Sequence, residues 1–181
     1  MIFTETKLPG AVLVELEPAR DERGFFARSY CEREFGDRGL STHYPQCNVS
    51  FNRVRGTLRG MHYQVGPHAE VKLVRCTSGS VFDVIVDLRA GSPTRLKWVG
   101  LELSARTRSA LYIPEGFAHG FMTLEDDTEV FYQMGASYAP AATRGLRWND
   151  PALGIDWPSD PVVISERDAA YPDLDPDRLE R

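Results

Sequence analysis

The sequence predicts an all-β protein, either a sandwich or a barrel. Short apolar segments recur along the chain and are separated by Gly, Pro, Asn and Asp. One of them, 81–88, is rich in β-branched residues and partly alternating, and turn residues bound it on both sides. The predicted strand segments are 12–16, 24–30, 72–76, 81–88, 98–103, 110–113, 117–124 and 129–134.

Helical signals are few. The pattern predicts a short helix over 31–37 and a single turn over 165–169. In that turn Ser165 is placed to cap the helix, and Asp168 follows three residues later, as in a capping box. The tail from Tyr171 is rich in Pro and Asp and is predicted to be irregular. Because no linker, low-complexity tract or repeat of fixed period occurs, we expect one domain over 1–181.

The composition is that of an ordinary globular protein. Of the 181 residues, 42% are hydrophobic and 26% are charged. The net charge of −5 argues against a general nucleic-acid-binding protein. We expect no membrane span, since no apolar run approaches the roughly 20 residues that a bilayer requires. The N-terminus has no signal pattern, so we also expect no export.

The three cysteines predict a reducing compartment. Cys31, Cys47 and Cys76 are an odd number and include no close pair, so a disulfide framework is not expected. A cytoplasmic location is the natural expectation for such a chain. The cysteines also lack the spacing of a metal site, and we interpret them as small core residues.

The segment RGMHYQ at 59–64 places His62 in a strand-like context, and Lys72 follows ten residues later between apolar neighbours. An imidazole titrates near neutrality, so it can take and return a proton at physiological pH. The alternative for His62 is a buried, hydrogen-bonded histidine. Lys72 is either a cation aimed at a developing enolate oxygen or an outward side chain of an alternating strand.

A second half-motif, PEGFAHGF at 114–121, contains His119. Two histidines and a lysine in apolar strand contexts indicate a pocket for moving protons, which suits a substrate with an acidic C–H bond beside a carbonyl. Tyr132 either packs in the core or donates a proton to the face opposite His62. Asp168 either supports the last turn or binds the far nitrogen of a histidine, which would fix its tautomer and raise its basicity.

Four arginines are candidate phosphate ligands, because a guanidinium group matches phosphate with paired hydrogen bonds. They are Arg23, Arg55, Arg59 and Arg167. Surface solvation is the alternative for each of them, and we assign Arg55 to the surface.

Together these motifs resemble the dTDP-4-dehydrorhamnose 3,5-epimerase family of the cupin superfamily. The resemblance extends over nearly the whole chain. The matching segments are DERGFF (21–26), RGMHYQ (59–64), KLV (72–74), FDVIVDLR (82–89), SPT (92–94), IPEGFAHGF (113–121), WNDP (148–151), IDWP (155–158) and SERD (165–168).

The resemblance implies a cupin double-stranded β-helix, or jelly roll, with a few short helices and no metal or other cofactor. It implies a homodimer that inverts carbons beside the 4-keto group of a nucleotide-linked 6-deoxyhexose, converting dTDP-4-dehydro-6-deoxy-D-glucose to dTDP-4-dehydro-L-rhamnose. The expected partners are therefore this nucleotide sugar and a second copy of the chain. A ketone acidifies the hydrogens on both adjacent carbons, so a base, an oxyanion clamp and an acid on the opposite face suffice.

The resemblance also implies roles for individual residues. His62 would be the base, and Asp168 its charged partner. Lys72 would hold the enolate oxygen, with His119 lining the same pocket. Tyr132 would deliver a proton to the opposite face, which is the step that inverts the carbon.

At the nucleotide end, the resemblance implies that Arg59 grips the diphosphate, with Gln46 and Asn48 nearby. Arg23 and Phe26 would reach the nucleotide site of the partner subunit.

Two positions depart from the family pattern. Arg28 stands where the family usually has a Glu that helps to recognise the base, and Ala19 stands where it often has an aromatic residue. An Arg in place of a Glu reverses the local charge and replaces an acceptor with donors. A CDP-sugar is therefore an alternative substrate, and inversion of one carbon only is an alternative outcome.

Two further alternatives belong to other classes. A metal-dependent cupin oxygenase or isomerase normally has a second histidine two residues after the first, but Gln64 follows His62 at that spacing. His119 fits the distant ligand position, and two ligands make a poor transition-metal site. A non-catalytic sugar-binding cupin is disfavoured because all four positions with implied catalytic roles are retained.

Overall fold

The computed structural model describes residues 1–175 and 179, and its two main sheets share one hydrophobic core. With strands numbered along the chain, the first sheet has the order β1-β2-β10-β7-β12-β5. Its strands are β1 (Ile2–Glu5), β2 (Val12–Glu15), β10 (Ala110–Ile113), β7 (Lys72–Ser78), β12 (Thr128–Met134) and β5 (Gln46–Asn52).

The second sheet has the order β13-β6-β11-β8-β9, and β14 pairs in parallel with β6. Its strands are β13 (Thr143–Gly145), β6 (Thr57–Gln64), β11 (Phe117–Thr123), β8 (Ser80–Asp87), β9 (Trp98–Ser104) and β14 (Val163–Ile164). A small hairpin of β3 (Ala19–Asp21) and β4 (Gly24–Phe26) stands apart from both sheets. The two α-helices of the described chain are each a single turn or slightly more, so the prediction of an all-β fold is confirmed.

The main core lies between the two sheets. Val74 and Val130 of the first sheet pack with Ile85, Leu103 and Phe121 of the second, and all five side chains are buried. At roughly 25 cal/mol per Å² of apolar surface removed from water, burial of such side chains is the main favourable term in folding. This core fixes the separation of the sheets, so a cavity between them has rigid walls.

Seven of the eight predicted strand segments correspond to β2 and β7–β12. The prediction over 24–30 is wrong in extent, because β4 ends at Phe26, where its pairing with β3 ends. Strand β5 is absent from the predicted set because its inward residues are polar, while Val49 and Phe51 are exposed. Cys47 is also exposed on this strand, so the interpretation of all three cysteines as core residues is wrong; only Cys76 is buried.

Both predicted helical segments are present. Helix α1 (Glu32–Gly36) buries Phe35 completely. Helix α2 (Glu166–Ala169) is capped as predicted, since the Ser165 hydroxyl accepts a hydrogen bond from the Asp168 N–H at 3.1 Å. Residues 171–175 are irregular, as predicted, and the remainder of the predicted tail, 176–178 and 180–181, lies outside the described residues.

None of the helices in the described part of the chain is long and apolar enough to cross a bilayer.

Candidate active site

A cavity of about 700 Å³ lies between the two sheets, and it gathers most of the residues that the sequence singled out. Strands β5, β7 and β12 supply one wall, β6 and β11 supply the other, and α2 closes one side. The predicted residues that line it are His62, Lys72, Tyr132, Asp168, Arg59, His119, Gln46, Asn48 and Arg167.

His62 forms a short pair with Asp168 on the cavity wall. The two residues are 106 positions apart, and His62 Nε2 lies 2.7 Å from Asp168 Oδ1. The other carboxylate oxygen accepts a hydrogen bond from the Gly60 N–H at 3.0 Å. With 36% of its side chain exposed, His62 faces the cavity and is not a core histidine.

The Asp168 carboxyl is held in its charged form. Burial by itself would raise its pKa, but the hydrogen bonds from His62 and from the Gly60 N–H outweigh burial and place the pKa below its ordinary value. The Ser165 cap fixes the turn that carries this side chain. Asp168 therefore presents a carboxylate to the imidazole, which orients the ring.

Lys72 points into the protein and not to solvent. Its ammonium group lies 3.1 Å from Glu70 Oε1, and the two side chains are only 8% and 6% exposed. The second oxygen of Glu70 accepts a hydrogen bond from Gln64 Nε2 at 2.7 Å. Glu70 was not among the residues predicted to form the site. The signal that could have identified it is its position two residues before a lysine in a strand.

His119 lies directly opposite His62 in the pairing of β11 with β6. Its Nε2 is 2.9 Å from Asp83 Oδ2, so each cavity histidine has its own carboxylate. Asp83 is completely buried in β8, a position that the sequence analysis also missed. A charged residue inside an otherwise apolar strand was the signal, since an unpaired buried carboxylate is costly.

Tyr132 lies on the sheet opposite the His62–Asp168 pair. It stands on β12, where it pairs with Asn48 of β5 and Val74 of β7. Burial raises the pKa of its phenol, and the nearby positive charge of Arg59 only partly offsets that effect. The phenol is therefore protonated at neutral pH and has a proton to donate.

The polar wall beyond Tyr132 is preorganised by hydrogen bonds. Arg59 Nε donates to Asn52 Oδ1 at 2.7 Å, which fixes the start of an otherwise exposed guanidinium group. Gln46 Nε2 donates to Asn48 Oδ1 at 3.2 Å. Arg167 reaches the same cavity from α2. Two guanidinium groups and two amides suit a diphosphate.

Three predicted binding residues do not reach this cavity within the protomer. Arg23 forms an ion pair with Asp21 on the β3–β4 hairpin, and Phe26 on the same hairpin is 80% exposed. Arg28 Nη1 contacts Glu34 Oε1 at 2.8 Å. Arg55 is exposed, as the sequence analysis expected.

The donor set of the cavity does not resemble a metal centre. Within residues 1–175 and 179, no three His, Cys, Asp or Glu side chains are grouped so that they could hold a metal ion. Gln64 stands at the position of the missing second histidine, and its amide is engaged by Glu70.

An imidazole–carboxylate pair, an ammonium group and a protonated phenol in one cavity of a β-sandwich suit an isomerase that moves protons on carbon. The model of the family described as dTDP-4-dehydrorhamnose 3,5-epimerase matches residues 5–176. The chain belongs to this family and is an epimerase, with the cupin-like β-sandwich of its structural relatives.

Individual relatives match over nearly their full length. The dTDP-4-dehydrorhamnose 3,5-epimerase of Salmonella typhimurium (strain LT2) is 45% identical over 177 residues, which cover 97% of this chain and 96% of the relative. The crystal structure of the Bacillus anthracis str. Ames enzyme with TDP and PPi bound is 40% identical, with a TM-score of 0.91 and coverage of 96% and 99%.

The Legionella pneumophila Philadelphia 1 dTDP-6-deoxy-D-glucose-3,5-epimerase, solved in complex with dTDP-4-keto-L-rhamnose, is 36% identical. It has a TM-score of 0.90 and coverage of 99% of this chain and 94% of that one. These relatives support both the fold and the epimerase class predicted from the motifs.

Proposed function

We propose that this epimerase converts dTDP-4-dehydro-6-deoxy-D-glucose to dTDP-4-dehydro-L-rhamnose by inverting carbons 3 and 5. The observation that carries the proposal is the His62–Asp168 pair on one sheet and the protonated Tyr132 on the other, both lining one cavity. Inversion requires a base and an acid on opposite faces of the same carbon. The substrate and product named for the relatives agree with this chemistry.

In the proposed first step, His62 removes the proton from carbon 3 or carbon 5. The C–H electron pair moves toward the 4-keto group, whose oxygen becomes an enolate. Asp168 stabilises the resulting imidazolium ion. Lys72 stabilises the enolate oxygen, because a fixed positive charge in a site with little water interacts strongly with developing negative charge. His119 lines the same cavity.

In the second step, Tyr132 donates its proton to the opposite face of the same carbon. The C–H bond re-forms with inverted configuration, and the enolate returns to the ketone. Solvent then reprotonates the tyrosinate and accepts the proton from His62, so the enzyme is unchanged and no electrons are gained or lost. A repeat of the cycle at the other flanking carbon completes the double inversion.

The carrier is bound away from the reacting carbons. We assign the diphosphate to Arg59 and Arg167, with Gln46 and Asn48 contributing neutral hydrogen bonds. Binding energy from this part of the substrate holds the sugar in place while the chemistry occurs elsewhere. The relatives are named for dTDP-linked sugars, which favours dTDP over a CDP-sugar as the carrier.

We also propose a homodimer of single-domain chains in the cytoplasm. The β3–β4 hairpin presents Arg23 and an 80% exposed Phe26 away from its own cavity. Strand β5 is an edge strand whose exposed residues include Val49 and Phe51. An apolar edge of this kind is normally covered. Three free cysteines suit a reducing compartment.

Proton exchange in deuterated water tests the proposal directly. The enzyme is given dTDP-4-keto-6-deoxyglucose and, separately, the CDP-linked sugar, while NMR follows each ring hydrogen. Deuterium at carbons 3 and 5 of the dTDP sugar is the expected result. Exchange at one carbon identifies a single-site epimerase, and exchange confined to the CDP sugar identifies the other carrier. Absence of exchange with both sugars, in folded protein, contradicts the proposal.

A further inference from the structure

Tyr171 lies against the His62 ring, although none of the motifs includes it. Their ring centroids are 6.2 Å apart and their planes are inclined by 71°, an edge-to-face arrangement. Tyr171 follows α2, so the segment that supplies Asp168 to one edge of the imidazole also supplies an aromatic ring beside it.

Gly145 provides the space in which the Tyr171 ring packs. In β13, Gly145 pairs directly with His62 of β6. A Cβ atom added at Gly145 would lie 2.0 Å from Cζ of Tyr171, so the ring occupies the space that any other residue would fill. The absence of a side chain at Gly145 therefore allows Tyr171 to pack over the strand pair and reach the imidazole.

The hydroxyl of the same residue contacts the predicted diphosphate site. Arg167 Nε donates a hydrogen bond to the Tyr171 hydroxyl oxygen at 3.0 Å. Burial raises the pKa of Tyr171, so the hydroxyl is neutral at physiological pH and accepts this bond as a phenol. Tyr171 thus contacts both the base and the Arg167 guanidinium group.

We propose that Tyr171 is a positioning residue with two separable effects, an inference that rests on the proposed roles of His62 and Arg167. Its ring packs against one side of the imidazole and so helps to keep it directed at Asp168. Its hydroxyl keeps the Arg167 guanidinium group directed at the diphosphate. Tyr171 itself touches no reacting atom.

Two substitutions separate the effects. Tyr171→Phe keeps the ring and removes the hydroxyl, so kcat should be unchanged while KM rises about threefold to fivefold, the effect of losing one hydrogen bond. Tyr171→Ala removes both, so kcat should also fall by about ten- to a hundredfold, because a displaced base no longer meets its proton. A merely structural residue would not give this division between KM and kcat.

An NMR measurement without substrate makes the proposal independent of the proposed reaction. Loss of the aromatic ring changes the imidazole shifts of His62 whether or not the imidazole moves, so the line widths of these resonances are the diagnostic quantity. The His62 ring resonances should stay narrow in Tyr171→Phe and broaden in Tyr171→Ala, because an imidazole without the packed ring exchanges between orientations. Broadening together with the predicted kinetics supports the proposal. If wild type proves inactive on both sugars, the line widths still decide whether Tyr171 positions His62. Narrow His62 resonances in Tyr171→Ala, whatever the kinetics, overturn the proposal.

Discussion

At the scale of single residues, the base and the acid can be tested separately. His62→Asn removes the group that breaks the C–H bond, so exchange and inversion should both fall by about a hundred- to ten-thousandfold. Tyr132→Phe leaves the base in place but removes the proton donor on the opposite sheet. His62 can still exchange its proton with solvent and return it to the original face.

Tyr132→Phe is therefore expected to retain deuterium exchange while losing inversion by about a hundredfold or more. NMR of the sugar in deuterated water measures both in one sample. Loss of exchange and inversion in equal proportion would show that Tyr132 acts before the C–H bond breaks and would contradict this assignment.

The buried pair of Lys72 and Glu70 predicts a specific pattern of stability changes. Lys72→Met leaves the Glu70 carboxylate buried without its cation, which should cost about 3–5 kcal/mol in the free energy of unfolding. The double variant Lys72→Met/Glu70→Gln removes both charges and should recover part of that loss. Urea unfolding measures the free energy of unfolding of wild type, the single variant and the double variant. Lys7→Met, at an exposed lysine, is the control. Equal losses in the single and double variants would contradict the prediction.

Both members of the His62–Asp168 pair could be predicted from the motifs, but only one member of each of the other two pairs could be. His62, Lys72 and His119 stand in short motifs that the sequence displays. The roles of Glu70 and Asp83 depend on their contacts with Lys72 and His119, and these contacts cannot be predicted from the position of a carboxylate in the sequence. Asp83 is 36 positions from His119, and only the pairing of β8 with β11 brings them together. The pairing of strands that are distant in the sequence cannot be predicted from the spacing of residues within a short motif.

At the scale of elements, the close approach of β6 and β11 is a requirement for the site. Gly60 has a φ of +116°, and a Cβ atom there would lie 2.6 Å from Gly120 Cα and 2.8 Å from the His119 carbonyl oxygen. Both contacts are with backbone, which cannot move aside without shifting the strand. The two strands carry the two cavity histidines, so their separation sets the geometry of the site.

Gly60→Ala is therefore expected to destabilise the protein by about 2–5 kcal/mol, from backbone strain and overpacking together, and to reduce kcat as well. Gly39→Ala is the control, since Gly39 also has a positive φ, +69°, but nothing within 4 Å of an added Cβ. It should cost about 1–2 kcal/mol and leave kcat unchanged. Thermal unfolding and steady-state kinetics measure both variants, and a Gly60→Ala enzyme with normal stability would refute the steric explanation.

The end of β8 predicts a pH-dependent contribution to stability. Burial by itself would raise the pKa of Asp87, but paired hydrogen bonds from Arg89 and those from Ser92 and Thr94 lower it to about 2. Because the pKa of Asp87 is lower in the folded protein than in the unfolded chain, the ionised carboxylate stabilises the fold. This stabilisation is fully present above the pKa of the unfolded chain, near 4, and is lost as the pH falls toward 2. The contribution is about 2 kcal/mol.

Asp87→Asn should lack this contribution. Between pH 6 and pH 2, wild type should lose about 2 kcal/mol more than the variant in the free energy of unfolding, measured in urea at one protein concentration. Parallel losses in the two proteins would show that Asp87 is not responsible.

Elements were predictable where the apolar face points into the core. Strand β8 has that pattern and was predicted to within one residue. Strand β5 has the opposite pattern, because its inward residues line a polar cavity and its outward residues include exposed Val49 and Phe51. Strand β5 therefore escapes a rule based on core burial, whereas β7, β11 and β12 line the same cavity but also contribute to the core and were predicted.

At the scale of the whole molecule, the proposed dimer can be tested through the catalytic site. Within one protomer, no residue of the β3–β4 hairpin lines the cavity, and Phe26 of this hairpin is 80% exposed. If the hairpin completes the partner's nucleotide site, a chain with a damaged hairpin and a chain with a damaged base can complement each other. Arg23→Ala/Phe26→Ala and His62→Asn are suitable variants, since each should form weakly active or inactive homodimers.

Unfolding and refolding an equal mixture should place the two variants together in about half of the dimers. Each mixed dimer holds one complete site, made of the intact His62 of one chain and the intact hairpin of the other. Activity should therefore return to about a quarter of the wild-type value. If the hairpin serves its own cavity, neither chain in a mixed dimer has a complete site, and the mixture should show no gain over the average of the two homodimers. The experiment thus measures dimer formation and the exchange of the hairpin in the same reaction.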